Sequence, residues 1–179
     1  MSATPRRWSG PVRLIHWAMA VLLVGLVALG WIMTHGRFDL GTTFTYYQWH
    51  KSFGVVALGL LAARLGFRLA SRRPPDIGPA GWQRHAAHGV HLAFYGLMLA
   101  LPISGWLMAS ASPLHLPTRP FDAFTLPDLV SPDMGVFTAL SWVHALLAYG
   151  LLGLLALHVA GALKHQFVES DGVLRRMGF

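Results

Sequence analysis

Four histidines, His16, His50, His144 and His158, fall inside or at the edges of long apolar stretches. An imidazole at membrane depth is costly unless it is paired, lines water or holds a ligand, so each is a candidate site residue. His144 and His158 are 14 residues apart. On one helix that is close to four turns, which sends both imidazoles from the same face about 21 Å apart along the axis. Such a face carries two sites, one above the other. With the apolar stretches taken as membrane spans, His50 matches the depth of His144, and His16 that of His158. Two imidazoles opposed across a gap as wide as a porphyrin complete the axial coordination of one haem iron, and helix bundles build such sites from side chains on facing helices. The chemistry this points to is electron transfer through two haems. Zinc is the competing metal, but it needs three or four clustered ligands, which opposite ends of a membrane cannot supply. A lone histidine near a helix end is more often an interfacial residue than a ligand. Four at matched depths, two of them on one helical face, favour ligation, and Trp49 and Trp142 mark the depth of the His50–His144 pair.

The elements that must hold these residues are long and apolar. Leu14 to Thr34, Phe53 to Ala70, Val90 to Ala111 and Trp142 to Leu163 each run 18 to 22 residues, the length a helix needs to cross a hydrocarbon core of about 30 Å. The expected fold is all-α: a single transmembrane domain over 1–179, an integral membrane four-helix bundle. Apolar residues make up 54% of the chain and charged residues 12%, a balance too greasy for a soluble domain of 179 residues. There is no cysteine, which excludes disulfides, iron–sulfur clusters, thiolate-bound haem and covalent haem attachment. Any haem must be held by packing and by histidine or methionine ligands. Met19, Met33, Met98 and Met108 could substitute for an imidazole, although methionine in a membrane helix is usually packing. Pro102 should kink the third span, and Pro74, Pro75 and Pro79 break the connection before it. Gly54, one turn after His50, and Gly25, Gly30, Gly59, Gly150, Gly153 and Gly161 relieve crowding where flat rings or helices approach. No internal repeat is visible.

The formal charge of +7 has a membrane explanation rather than a nucleic-acid one, since the basic residues are scattered between spans and form no stripe with aromatics. Arg6, Arg7, Arg13, Arg64, Arg68, Arg72, Arg73, Arg84, Lys164, Arg175 and Arg176 fall on one side against Arg37, Lys51 and Arg119 on the other, eleven to three. The positive-inside rule makes both termini cytoplasmic and leaves the Pro113–Pro132 segment outside, where it reads as a surface loop with no role of its own. The first span reads as a retained anchor, because its apolar run is long and no clear small-residue cleavage site follows.

The pieces Arg13-Leu-Ile-His16-Trp17, His50-Lys-Ser-Phe-Gly54 followed by Arg64 to Arg68, His88-Gly-Val-His91 through Leu101-Pro102-Ile-Ser-Gly105-Trp106, and Trp142-Val-His144 with His158 resemble bacterial cytochrome b561. That family is di-haem and quinone-linked, and includes a superoxide oxidase. The likeness runs through all four spans in order. It implies a bundle in the bacterial inner membrane, two b-type haems with His16, His50, His144 and His158 as axial iron ligands, and electron exchange with ubiquinone. In the superoxide-oxidising member an arginine of the second helix and a histidine after the last ligand serve the quinone, roles that would fall on Arg64 and His165 here.

An iron with two imidazoles has no open position, so substrates exchange electrons at the haem edge. Quinone reduction also consumes protons. The spans contain no Asp or Glu, which leaves His165, Lys164 and water as donors near the inner haem. Arg68 should snorkel to the headgroups, while Arg64, one turn deeper, is equally balanced between that role and a propionate or quinone contact. Lys51 either anchors a helix end or, with Arg37 and Arg119, draws an anion such as superoxide to the outer haem. The anchor is favoured slightly, because Asp39, Asp122, Asp128 and Asp133 make that side acidic overall. His85, His88 and His91 are neighbours on a helix that could assist a quinone or propionate, but such residues more often sit unliganded among headgroups. The expected function is oxidoreductase: electrons pass from an outer donor, with superoxide the candidate, to ubiquinone in the lipid bilayer. Two alternatives remain: an electron-transfer anchor subunit of a hydrogenase- or dehydrogenase-type complex with its own redox partner, and a transporter or lipid-binding bundle with structural histidines.

Overall fold

A computed structural model describes residues 7–72 and 81–178. The connection carrying Arg73, Pro74, Pro75 and Pro79 lies outside the described residues, as does Arg6. Four helices dominate: α1 (Gly10–His35), α2 (Leu40–Ala70), α3 (Trp82–Ala111) and α4 (Met134–Lys164). All four are long and apolar enough to cross a membrane, and the fold is an all-α four-helix bundle with no strand among the described residues.

Each helix begins where the sequence supplies a start signal. Proline in the first turn of α1 fills a position whose amide has no helical partner. The Asp39 carboxylate accepts from the Thr42 amide at 2.9 Å and from the Thr42 hydroxyl at 2.6 Å, capping α2. These bonds, the hydroxyl first, hold its carboxyl below the usual aspartate value. Asp133 caps α4 through the Val136 amide at 2.8 Å. With 31 residues, α2 and α4 are about 46 Å long, more than a hydrocarbon core of about 30 Å requires. The second apolar stretch begins at Phe53, yet its helix begins at Leu40; the Thr- and Tyr-containing segment between them is too polar to score as a span but carries good caps. His50 therefore sits within α2 and not at its start.

Helices pack in sequence, α1 on α2, α2 on α3 and α3 on α4, while α4 touches α1 and α2 little. Met19, Leu61 and Met98 form the buried centre, with Ile15, Leu23, Leu58, Phe94 and Tyr95 around it. Met19 and Met98 thus do the packing work expected of membrane methionines. Large apolar side chains such as Leu14, Val21, Leu92 and Leu146 face outward, as helices that are apolar all round do in lipid. The two chain ends meet. The Trp8 amide donates to the Arg176 carbonyl at 3.3 Å, and Trp17 Nε1 donates to the Met177 carbonyl at 2.9 Å. We call this end proximal and the opposite end, with the α1–α2 turn and the 112–133 connection, distal.

That connection is not a slack loop. Two buried serines, Ser52 within α2 and Ser110 at the end of α3, catch its backbone: Ser52 Oγ accepts from the Phe121 amide at 3.0 Å and Ser110 Oγ from the Leu129 amide at 3.1 Å. Trp106 Nε1 donates to the Pro127 carbonyl at 3.0 Å, and the Asp133 amide to the Ala111 carbonyl at 3.0 Å. Phe121 and Asp122 adopt positive φ, 49° and 57°, a conformation non-glycine residues hold only where the surroundings fix it. The segment read as a surface loop with no role is a fitted cap on the distal end.

Candidate haem sites

Although α4 packs mainly on α3, the four histidines meet between it and the α1–α2 pair, two by two. His50 of α2 and His144 of α4 have ring centroids 6.2 Å apart at the distal end; His16 of α1 and His158 of α4 are 6.3 Å apart at the proximal end. Two metal–imidazole bonds of about 2 Å, with roughly 1 Å from each donor nitrogen to its ring centre, add to about 6 Å. The spacing is that of two rings on one metal. All four rings are half-buried.

Glycines make room for the distal rings. A Cβ at Gly30 would lie 3.4 Å from His50 Cε1, and one at Gly105 would lie 3.2 Å from His144 Cε1. Both contacts are at or inside the tight end of packing, so the backbone itself forms the cradle. His50 Nδ1 is buried without a hydrogen-bond partner, a cost accepted only where a group is meant to be satisfied by something else. His144 Nδ1 instead lies 2.9 Å from Ser104 Oγ. These features fit a metalloporphyrin held by imidazoles.

The proximal end is more crowded and more charged. Arg64 places a guanidinium nitrogen 3.0 Å from His16 Nδ1, and Arg68 donates to the Tyr95 hydroxyl at 2.9 Å. Both guanidinium groups also lie over the Tyr95 ring, at 5.9 and 5.5 Å. Arg68, for which snorkelling to the headgroups is expected, lies between the Tyr95 hydroxyl and the Trp8 ring, 5.8 Å from the latter's centroid, at the proximal end. His91 comes within 5.8 Å of the His158 ring, and Phe94 within 5.3 Å, so one member of the His85–His88–His91 group reaches the site. His35 stacks on Trp31 at 3.9 Å and stays apart from both pairs.

His165 begins a π-helical turn, His165–Glu169, directly after α4. The wider turn brings two carboxylates to one nitrogen: His165 Nδ1 is 2.6 Å from Glu169 Oε2 and 2.6 Å from Asp171 Oδ2. The other oxygen of Glu169 pairs with Lys164 Nζ at 2.7 Å. The donor atoms of His165, Glu169 and Asp171 lie within 4.8 Å of one another. Spans free of acids leave His165 and Lys164 as proton donors; Glu169, four residues on, is within reach by helical spacing, whereas Asp171, six residues on, meets His165 only because the chain turns after the π-helical segment.

A bundle of four membrane-capable helices with opposed imidazole pairs at two depths is the architecture of a membrane b-type cytochrome. The comparisons agree. The profile of the family described as prokaryotic cytochrome b561 matches residues 7–179. Cytochrome b561 homolog 2 of Escherichia coli (strain K12) is 32% identical over 178 residues, covering 97% of this chain and 92% of the relative. Cytochrome b561 homolog 1 of the same organism is 26% identical over 167 residues, covering 91% and 92%. The chain belongs to the prokaryotic cytochrome b561 family, whose members are membrane electron-transfer proteins with b-type haem.

Proposed function

We propose that the chain holds two b haems, one between His50 and His144 and one between His16 and His158, and passes electrons from a donor at the distal, outer face to ubiquinone at the proximal, cytoplasmic face of the bacterial inner membrane. The observation that carries this is the pair of imidazole couples at 6.2 and 6.3 Å at opposite ends of one bundle. Haem iron with two imidazole ligands supplies one-electron transfer and offers no open position. Superoxide is the proposed donor: two superoxide ions, one quinone and two protons give two O2 and one quinol.

The chain's own residues supply what the electrons lack. A hydrogen bond from Nδ1 to Asp171, with the Glu169 carboxylate beside it, leaves His165 Nε2 to exchange a proton with a quinone oxygen, as a carboxylate-held imidazole does elsewhere. Arg64 supplies a positive charge where negative charge builds on the quinone. It cannot keep its contact with His16 Nδ1 while His16 binds iron through Nε2: guanidinium only donates, so that nitrogen would have to accept and Nε2 would carry the proton. A His16 holding iron would therefore carry its proton on Nδ1 and take no hydrogen bond from Arg64, whose charge would remain beside the site.

Purified protein should be red, with close to two haems per chain by pyridine haemochrome. His144→Ala and His16→Ala should each lose one, while His91→Ala keeps both. A colourless chain ends the reading. Stopped-flow mixing with superoxide and a short-chain ubiquinone then tests the substrates. His165→Ala should retain both haems and slow quinol formation at least tenfold; unchanged turnover removes the proton role.

A further inference from the structure

His144 differs from the other three histidines in what holds its second nitrogen. Ser104 Oγ lies 2.9 Å from His144 Nδ1 and 2.9 Å from the Leu101 carbonyl oxygen. A hydroxyl has one proton to give, and a carbonyl can only accept. The proton goes to Leu101, so Oγ turns a lone pair toward the imidazole and Nδ1 carries the ring's hydrogen. Nε2 is left bare, which is the tautomer a metal needs. Ser104 is 6% exposed, so water does not compete for these bonds. The same ring edge rests against Gly105, with 3.2 Å from a notional Cβ to Cε1 and 3.5 Å to Nδ1. Hydroxyl and glycine backbone, adjacent on α3, together fix the ring.

None of the others is prepared this way. His50 Nδ1 has no partner, His16 Nδ1 faces a guanidinium, and His158 is surrounded by the rings of His16, His91 and Phe94. An acceptor on the far nitrogen makes an imidazole more basic and a better donor to ferric iron, which lowers the reduction potential. A guanidinium close to a site acts in the opposite sense, because the ferrous form carries one positive charge less.

We infer that Ser104 is a positioning residue that fixes the tautomer of His144 and, on the haem reading above, sets the distal haem below the proximal one in potential. With haem in both sites, that order of potentials would favour passage of one electron from the distal to the proximal site, the distal iron losing the electron that the proximal iron gains. The fold itself gives the transfer its direction.

The test is a spectroelectrochemical titration of the purified holoprotein beside Ser104→Ala and Ser104→Thr, with haem counted in each. Ser104→Ala should raise the lower of the two midpoints and leave the higher one in place; Ser104→Thr, which keeps the hydroxyl, should stay near the parent. Loss of one haem in Ser104→Ala that Ser104→Thr retains also supports the positioning role. Full haem content with unmoved midpoints in Ser104→Ala, movement of the higher midpoint, or loss of haem in both variants overturns it. A parent protein with fewer than two haems defeats the reading on which the inference rests, and so is distinguishable from these outcomes.

Discussion

Gly105 and Gly30 show how little space separates the distal imidazoles from the helices that face them. A methyl group at Gly105 would require His144 to give by a few tenths of an ångström, and a branched side chain would enter the ring's volume outright. Gly25 has nothing within 4 Å of a notional Cβ, and alanine there would gain up to about 1 kcal/mol in helix propensity. Gly105→Val should therefore lose the distal haem, halving the haem per chain, while Gly25→Ala keeps both; circular dichroism should find both variants as helical as the parent. Haem content in Gly105→Val equal to the parent would mean His144 is not fixed where its ring now lies. The four histidines are legible in the sequence because an imidazole among leucines is anomalous on its own and a spacing of 14 fixes its face. Ser104, Tyr95 and Gly105 are not legible, since serine, tyrosine and glycine are ordinary in membrane helices and acquire meaning only once α3 is known to face α4 and α2.

Helix starts and the cap between α3 and α4 carry the distal site. Asp133 both caps α4 and anchors its approach, accepting from Val136 by its side chain and donating to the Ala111 carbonyl by its amide. Asp133→Ala keeps the amide bond and loses the side-chain one, at a cost of about 1 kcal/mol, read as lower thermal stability of the solubilised protein. Ser52 matters differently. It is 2% exposed, two positions after His50, and bridges the Gln48 carbonyl to the Phe121 amide. Ser52→Ala leaves that amide without an acceptor, a loss of about 1–3 kcal/mol for a buried donor. The 112–133 segment should then be cut faster by a broad-specificity protease, with both haems still bound. Equal cutting rates would show that the other three bonds hold the cap without Ser52. Helices are readable from hydropathy, but the cap is not. Its proline-rich, weakly periodic sequence gives no sign that Ser52 and Ser110 will catch it, and helical spacing, which does pair positions 165 and 169, says nothing of the turn that brings Asp171 to His165.

At the scale of the whole molecule the decisive feature is polarity. The Trp8–Arg176 and Trp17–Met177 bonds tie the two chain ends together, so whatever face of the membrane holds one terminus holds the other. Of fourteen basic residues, eleven are at that end by the apolar spans and three at the distal end. Moving basic residues across during insertion is disfavoured, which is the ground for proposing that the proximal end is cytoplasmic. In the proposed orientation Arg64, Arg68, His165 and the carboxylates behind it would face the compartment that supplies protons, and the capped His50–His144 end would face outward. A fluorescent protein fused after Phe179 should mature and fluoresce, whereas alkaline phosphatase inserted near Ala123, in the middle of the cap, should be active. The reverse pattern would place the guanidinium-rich end outside, and the proposed electron path would run from the cytoplasmic side toward the outer surface. Adding three lysines within the 112–133 segment should weaken the bias and give a mixed population; a unique orientation despite those charges would show that the fold of the cap, and not the charge asymmetry, sets which way the bundle faces.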